Sequence, residues 1–173
     1  IPSSATALTN DDGIAAPGIK ALTEVIHELG EIYIIAPDSA QSGMGHAITI
    51  NSTLELKHIP GFLGTENAYS CSGTPVDCVK MGVHEVMKTR PNLCVSGINH
   101  GSNSSINVIY SGTMSAAVEA GFEGIPSIGF SLLDYNWNAN FEPVKSFVKK
   151  IASEVLKNKL PDGVILNVNF PKL

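Results

Sequence analysis

Short apolar runs alternate along this chain with stretches of helical periodicity, and that alternation admits few folds. Ala5 to Thr9, Ile32 to Ala36, Leu93 to Val95, Ile125 to Ser131 and Val164 to Phe170 have the length and content of buried strands. Between them, Ile19, Leu22, Ile26 and Leu29 share one helical face that Gly30 closes. Thr74-Pro75-Val76-Asp77 reads as a helix start, with a capping Thr, Pro at the first helical position and an acid at the third. Val76, Val79, Val83 and Val86 continue its apolar stripe, a further helix is expected from about Ser111 to Phe122, and Val144, Phe147, Val148, Ile151 and Val155 mark a last one. Alternation over residues 46–57 suggests an extended arm or hairpin. The resulting order, β-α-β-(arm)-α-β-loop-α-β-α-β, is that of an α/β domain with parallel strands and crossover helices. Such sheets hold ligands beyond the carboxyl ends of their strands, so functional residues are expected just after strands rather than within them.

Composition narrows the class further. A chain of 173 residues favours one domain. With 43% hydrophobic and 16% charged residues it is an ordinary globular sequence, and its net charge of −5 argues against binding a nucleic-acid duplex. No run approaches the ~18 apolar residues that a membrane span needs. Ile1-Pro2-Ser3-Ser4 offers no basic or apolar segment to read as a signal peptide. Cys71, Cys78 and Cys94 are too few and too irregularly spaced for a disulfide framework or a zinc site, and buried free thiols in a reducing cytoplasm are expected.

Four polar loops carry the candidate chemistry. In Asn10-Asp11-Asp12-Gly13, a strand end that turns at glycine brings two adjacent carboxylates toward one point, where a cation removes their repulsion; an Asp-Gly turn is the plain alternative. Ser42 and Gly43 lie in the glycine-rich stretch that ends at His46, which can aim backbone N–H groups at an anion or be a surface loop. Asn99 offers a neutral hard oxygen and Asn103 an amide N–H₂ for an oxyanion, although loop asparagines often only cap turns. Ser111, Gly112 and Thr113 open a helix, a geometry suited to phosphate and equally to an ordinary N-cap. Asp11, Asp12, Ser42 and Asn99 together form an all-oxygen set, which suits Mg²⁺, Mn²⁺ or Ca²⁺ and does not suit Zn²⁺. Such an ion polarises a phosphoryl oxygen and acidifies water. His46 and His100 fall near these loops and could donate to a leaving oxygen, although a lone His is usually structural or solvated, whereas His27, His58 and His84 read as surface residues. Tyr135, Trp137 and Phe141 can stack on a base, but packing is the expected role of such a cluster.

These same loops carry a family resemblance. The segments TNDDGIAAPGIKAL (9–22), APDSAQSGMGHAIT (36–49), SGTPVDCVK (72–80), SGINHGSN (96–103), YSGTMSAAVEAGFEGIPSIGFS (110–131) and LNVNFP (166–171) resemble the SurE family of stationary-phase survival proteins, which are 5′/3′-nucleotidases. The resemblance implies a three-layer Rossmann-like core with a mostly parallel sheet and an extended β-hairpin arm. It implies one Mg²⁺ or Mn²⁺ per subunit, held by Asp11, Asp12, Ser42 and Asn99. It also implies nucleoside monophosphates as substrates, short polyphosphate for some members, and dimers or tetramers. Two departures stand out: the run Ser4 to Thr9 is smaller and more polar than the family's usual first strand, and the chain ends just after LNVNFP, where members continue. A single domain over 1–173 without the C-terminal extension is therefore expected. In this reading the catalytic residues are Asp11, Asp12 and Asn99, with Gly43, Asn99, Asn103 and Ser111 to Thr113 around the phosphate, and water or Asp11 itself as nucleophile. A phospho-receiver domain also pairs acids after its first strand, but Ser127 to Ser131 brings no Lys and the central run ends in Asn99. A nucleotide-binding regulator without catalysis is the other rival.

Overall fold

The computed structural model describes residues 4–172; Ile1-Pro2-Ser3, on which the signal-peptide expectation rests, lie outside the described residues. Seven strands form one sheet: β1 (Ala5–Thr9), β2 (Glu31–Pro37), β3 (Leu56–His58), β4 (Ala68–Cys71), β5 (Leu93–His100), β6 (Ser127–Leu132) and β7 (Leu166–Phe170). Their spatial order is β3-β4-β2-β1-β5-β6-β7, and only β3 runs antiparallel to its neighbour. The helices are α1 (Pro17–Ile26), α2 (Pro75–Met81), α3 (Asn107–Tyr110), α4 (Gly112–Phe122) and α5 (Lys145–Asn158). Among the described residues, no helix is long and apolar enough to cross a membrane.

The two faces of β1 show why its residues are small. Leu8 points into the larger core, with Ile19, Leu22 and Ile26 of α1 and Val148 and Ala152 of α5. Ala5 and Ala7 point the other way, onto Ala116 and Ala120 of α4 and Val79 of α2. All five residues of β1 are buried. Alanine facing alanine lets helix and strand approach closely, so the unusual first strand is a packing solution for a strand covered on both sides. The expected helix starts hold as well. Thr74 caps α2 in a reciprocal box with Asp77, and Ser111 caps α4 by accepting from the Met114 N–H at 3.0 Å.

Four elements differ from the sequence expectation, the first being α3, a short helix inside the expected loop between β5 and α4. No strand forms over residues 47–55: Ile48 and Ile50 are exposed, and only Leu56–His58 pairs, antiparallel to β4. The stretch instead lies against α2 and α4, pinned by Thr49 donating to Asp77 (2.6 Å), by Thr74 donating to Ala47 O (2.7 Å) and by His46 on Glu119 (2.7 Å). Strand β4 was unforeseen because Ala-Tyr-Ser-Cys carries no apolar run. Finally, β5 does not stop at Val95. A register shift between Ser96 and Asn99 lets pairing resume with β6 as far as His100, so Asn99 lies within the strand, near its end.

Candidate active site

The chain leaves β1 on one side for β2 and returns on the other at β5, so the carboxyl ends of these two adjacent strands flank a topological switch point. Asp11 and Asp12 follow β1, and Asn99 and His100 end β5. Gly13, at φ +99°, turns the backbone after the carboxylates, a conformation that side chains beyond glycine rarely adopt. Asn10 closes the same turn by donating to Gly13 O (2.7 Å), which leaves its buried Oδ1 without a hydrogen-bond partner.

The two carboxylates differ. Asp11 is 5% exposed and sits under the start of α4; a Cβ added at Gly112 would lie 2.7 Å from the Asp11 Cβ, so only glycine permits this approach. The Thr113 hydroxyl donates to Asp11 Oδ1 at 2.8 Å. Burial first, and then the neighbouring charge of Asp12, push the Asp11 pKa up to about 6 against the opposing hydrogen bonds from Thr113. Asp12 instead has a partner: its Oδ2 meets His100 Nδ1 at 2.9 Å and the His100 backbone N–H at 3.4 Å. The other ring nitrogen, Nε2, faces Trp137 O at 3.2 Å. Both nitrogens therefore meet acceptors, an arrangement that the doubly protonated imidazolium satisfies. The hydrogen bond to Asp12 raises the His100 pKa, against the opposing effect of burial.

Asn99 spends its amide hydrogens on Gly101 O (3.3 Å) and Asn103 Oδ1 (3.1 Å), so its carbonyl end is left for a ligand. Asn103 donates one amide hydrogen to Ser131 Oγ at 2.6 Å, and its backbone N–H is held by Asn169 Oδ1 at 2.9 Å. Asn167 donates to Asn103 O (2.9 Å), and Asn169 to Asn167 Oδ1 (2.8 Å). The β7 asparagines thus support Asn99 through Asn103. Their roles were not foreseen, although two asparagines at alternate positions of a strand, where that residue is depleted, are a signal that one face meets something polar.

The glycine-rich loop is tied to the site at both ends. Gln41 N–H donates to Asp11 O (2.7 Å), and Gly45 N–H to Tyr110 O (3.3 Å). Ser42 and Gly43 lie between these ties and are exposed. His46 is drawn away, toward Glu119 in the second half of α4. Ser111 uses its hydroxyl as the N-cap, and Thr113 spends its own on Asp11. Among the described residues no group of three or more His, Cys, Asp or Glu converges, so an ion here would need neutral oxygens too. The donor set fits that need: a buried carboxylate with no cationic side chain bonded to it among the described residues, a second carboxylate, and an amide whose oxygen is left over.

Residues 6–173 match the family model described as Survival protein SurE. Proteins named 5′-nucleotidase SurE from Flavobacterium johnsoniae and Flavobacterium psychrophilum are 70% and 68% identical to it over 96% and 95% of its length. The chain spans 64% of the length of each of these relatives. The solved SurE protein from Aquifex aeolicus superposes with a TM-score of 0.90 at 38% identity, covering 98% of this chain and 66% of that one.

Proposed function

The chain belongs to the SurE family, and from that premise we propose that it is a divalent-metal-dependent phosphomonoesterase of nucleoside 5′- and 3′-monophosphates, with short polyphosphate as a further substrate. The observation that carries this reading is the acidic pair at the switch point, where Asp11 is buried without a cationic partner among the described residues and its pKa is pushed up to about 6. Asp11, Asp12, Ser42 and Asn99 would hold one Mg²⁺ or Mn²⁺. When bound, the ion supplies Lewis-acid polarisation of a phosphoryl oxygen and a more acidic water.

The chain's own groups have separable tasks. His100 fixes one oxygen of Asp12, and Thr113 fixes one oxygen of Asp11. Asp11 or Asp12 orients the attacking water or takes its proton; direct attack by the Asp11 carboxylate on phosphorus is the alternative. Backbone N–H groups near Gly43 and in the first turn of α4, with the amide of Asn103, meet the charge that develops on the phosphate oxygens. Exposed Ile50, Ile106, Ile109 and Phe122 support association into dimers or tetramers, which light scattering checks. The three buried free thiols suit a reducing cytoplasm.

Phosphate release from a panel of nucleoside monophosphates, with Mg²⁺ or Mn²⁺ and then with EDTA, tests the reading. Release that EDTA abolishes and metal restores is expected. Nucleotide binding without release would make the chain a regulator and not an enzyme.

A further inference from the structure

The aromatic cluster that follows β6 is divided by the fold. Phe141 is buried and meets the edge of the His100 ring at 5.1 Å, as a core aromatic does. Trp137 lays its ring parallel to His100, with centroids 5.5 Å apart and planes 9° from parallel, yet remains 56% exposed. Tyr135 is 76% exposed; its hydroxyl accepts from the Ser102 N–H at 3.3 Å, and its ring covers Gly101. Leaving two large aromatic surfaces in water forgoes burial that the same side chains would gain in a core.

Hydrogen bonds and an ion pair hold the loop that presents them. Asp134 accepts from the Asn136 N–H (3.0 Å), Asn136 accepts from the Asn138 N–H (3.0 Å), and Lys172 pairs with Asp134 (3.1 Å). Rigid, open rings are what a planar ligand needs, because little freedom is lost on stacking. Position supplies the rest. His100, on which Trp137 is stacked, bonds directly to Asp12, so the indole stands one side chain away from the acidic pair. In a nucleoside monophosphate the base stands off from the phosphate by one ribose.

We propose that Trp137, flanked by Tyr135, is the base-binding subsite of this protein, stacking the nucleobase of a nucleoside monophosphate whose phosphate lies at Asp11 and Asp12. This rests on the phosphomonoesterase reading of the same site. Trp137 is the chain's one tryptophan, so its emission reports on this position alone.

Adenosine 5′-monophosphate and ribose 5-phosphate, which differ by the base, are the probes. In EDTA, adenosine, which lacks the phosphate that the metal would hold, should change Trp137 emission and ribose should not; equal responses, or none from adenosine, overturn the subsite whether or not the protein hydrolyses either phosphate ester. In the metal-loaded protein, Trp137→Ala should lower kcat/KM for the nucleotide relative to ribose 5-phosphate about tenfold, the loss of one base–aromatic stack, and Trp137→Phe should recover most of it. Equal losses on both substrates would mean that the indole acts only through His100, and would overturn a base contact. If the wild-type protein releases phosphate from neither compound, the phosphomonoesterase reading fails, while the emission change still decides the stacking.

Discussion

The two edges of the sheet differ in opposite senses. The amino-terminal edge has the more obvious hollow, a cavity of about 570 Å³ whose lining includes Arg90, Phe122, Leu156, Lys159, Leu160 and Val164. The carboxyl-terminal edge holds Asp11, Asn99, Asn103, Ser111 and Thr113, all buried and polar. At the first edge the segments before β5, β6 and β7 surround a hollow of mixed polar and apolar lining. At the second, buried polar groups are joined in a continuous set from Asn169 through Asn103 to Asn99. The proposed chemistry lies at the edge that is costly to build, not at the edge that is hollow.

Substitutions at each edge can break that contrast. Asp11→Asn should lower phosphate release by ~10³-fold or more, measured as kcat/KM on a nucleoside monophosphate. The fold should survive it. Because the Asp11 pKa is raised in the folded state from 3.8 to about 6, its contribution to stability is present at low pH and lost as pH rises through about 6. Removing the charge should then leave the melting temperature in EDTA at pH 8 equal to or above that of the wild type. His100→Ala should weaken Mn²⁺ binding by ~10- to 100-fold, since it removes the hydrogen bond that orients Asp12.

Asp77 lies outside the site and should act on stability. Burial works to raise its pKa, but the hydroxyl and N–H of Thr49 and the N–H of Thr74 outweigh that and hold it below the usual value. Asp77→Asn should cost ~1–2 kcal/mol at pH 7 by thermal unfolding. The folded pKa is lowered, so this difference should shrink as pH falls below the ordinary carboxylate range. At the hollow edge, Lys159 adopts φ +58° and ψ 172°, a backbone region that favours glycine. Lys159→Gly should raise the melting temperature slightly and change phosphate release by less than about twofold, an ordinary surface effect. A large loss of activity there would erase the distinction between the edges.

Much of this was legible in the residues. Strands ending in Asp-Asp-Gly or in Ser-Gly-Ile-Asn declare themselves, because a buried parallel strand is a short apolar run and its polar end has to go somewhere. Legibility failed where pairing overrode local signals. Asn99 belongs to β5 because the register shift lets the strand continue past Gly97. Ile48 and Ile50 alternate like a strand but find no partner, and hydrogen bonds to α2 and α4 hold the segment instead. The roles of His100 and Asn169 depend on which strands lie side by side, and no spacing along the chain encodes that.

The acidic turn as a metal site is open to one direct measurement, calorimetric titration of Mn²⁺ into the wild-type protein and into Asp11→Asn. One ion per chain in the wild type, with binding lost or greatly weakened in the variant, is expected. Equal stoichiometry and affinity in the two proteins would mean that the ion, and with it the phosphate chemistry, is held elsewhere.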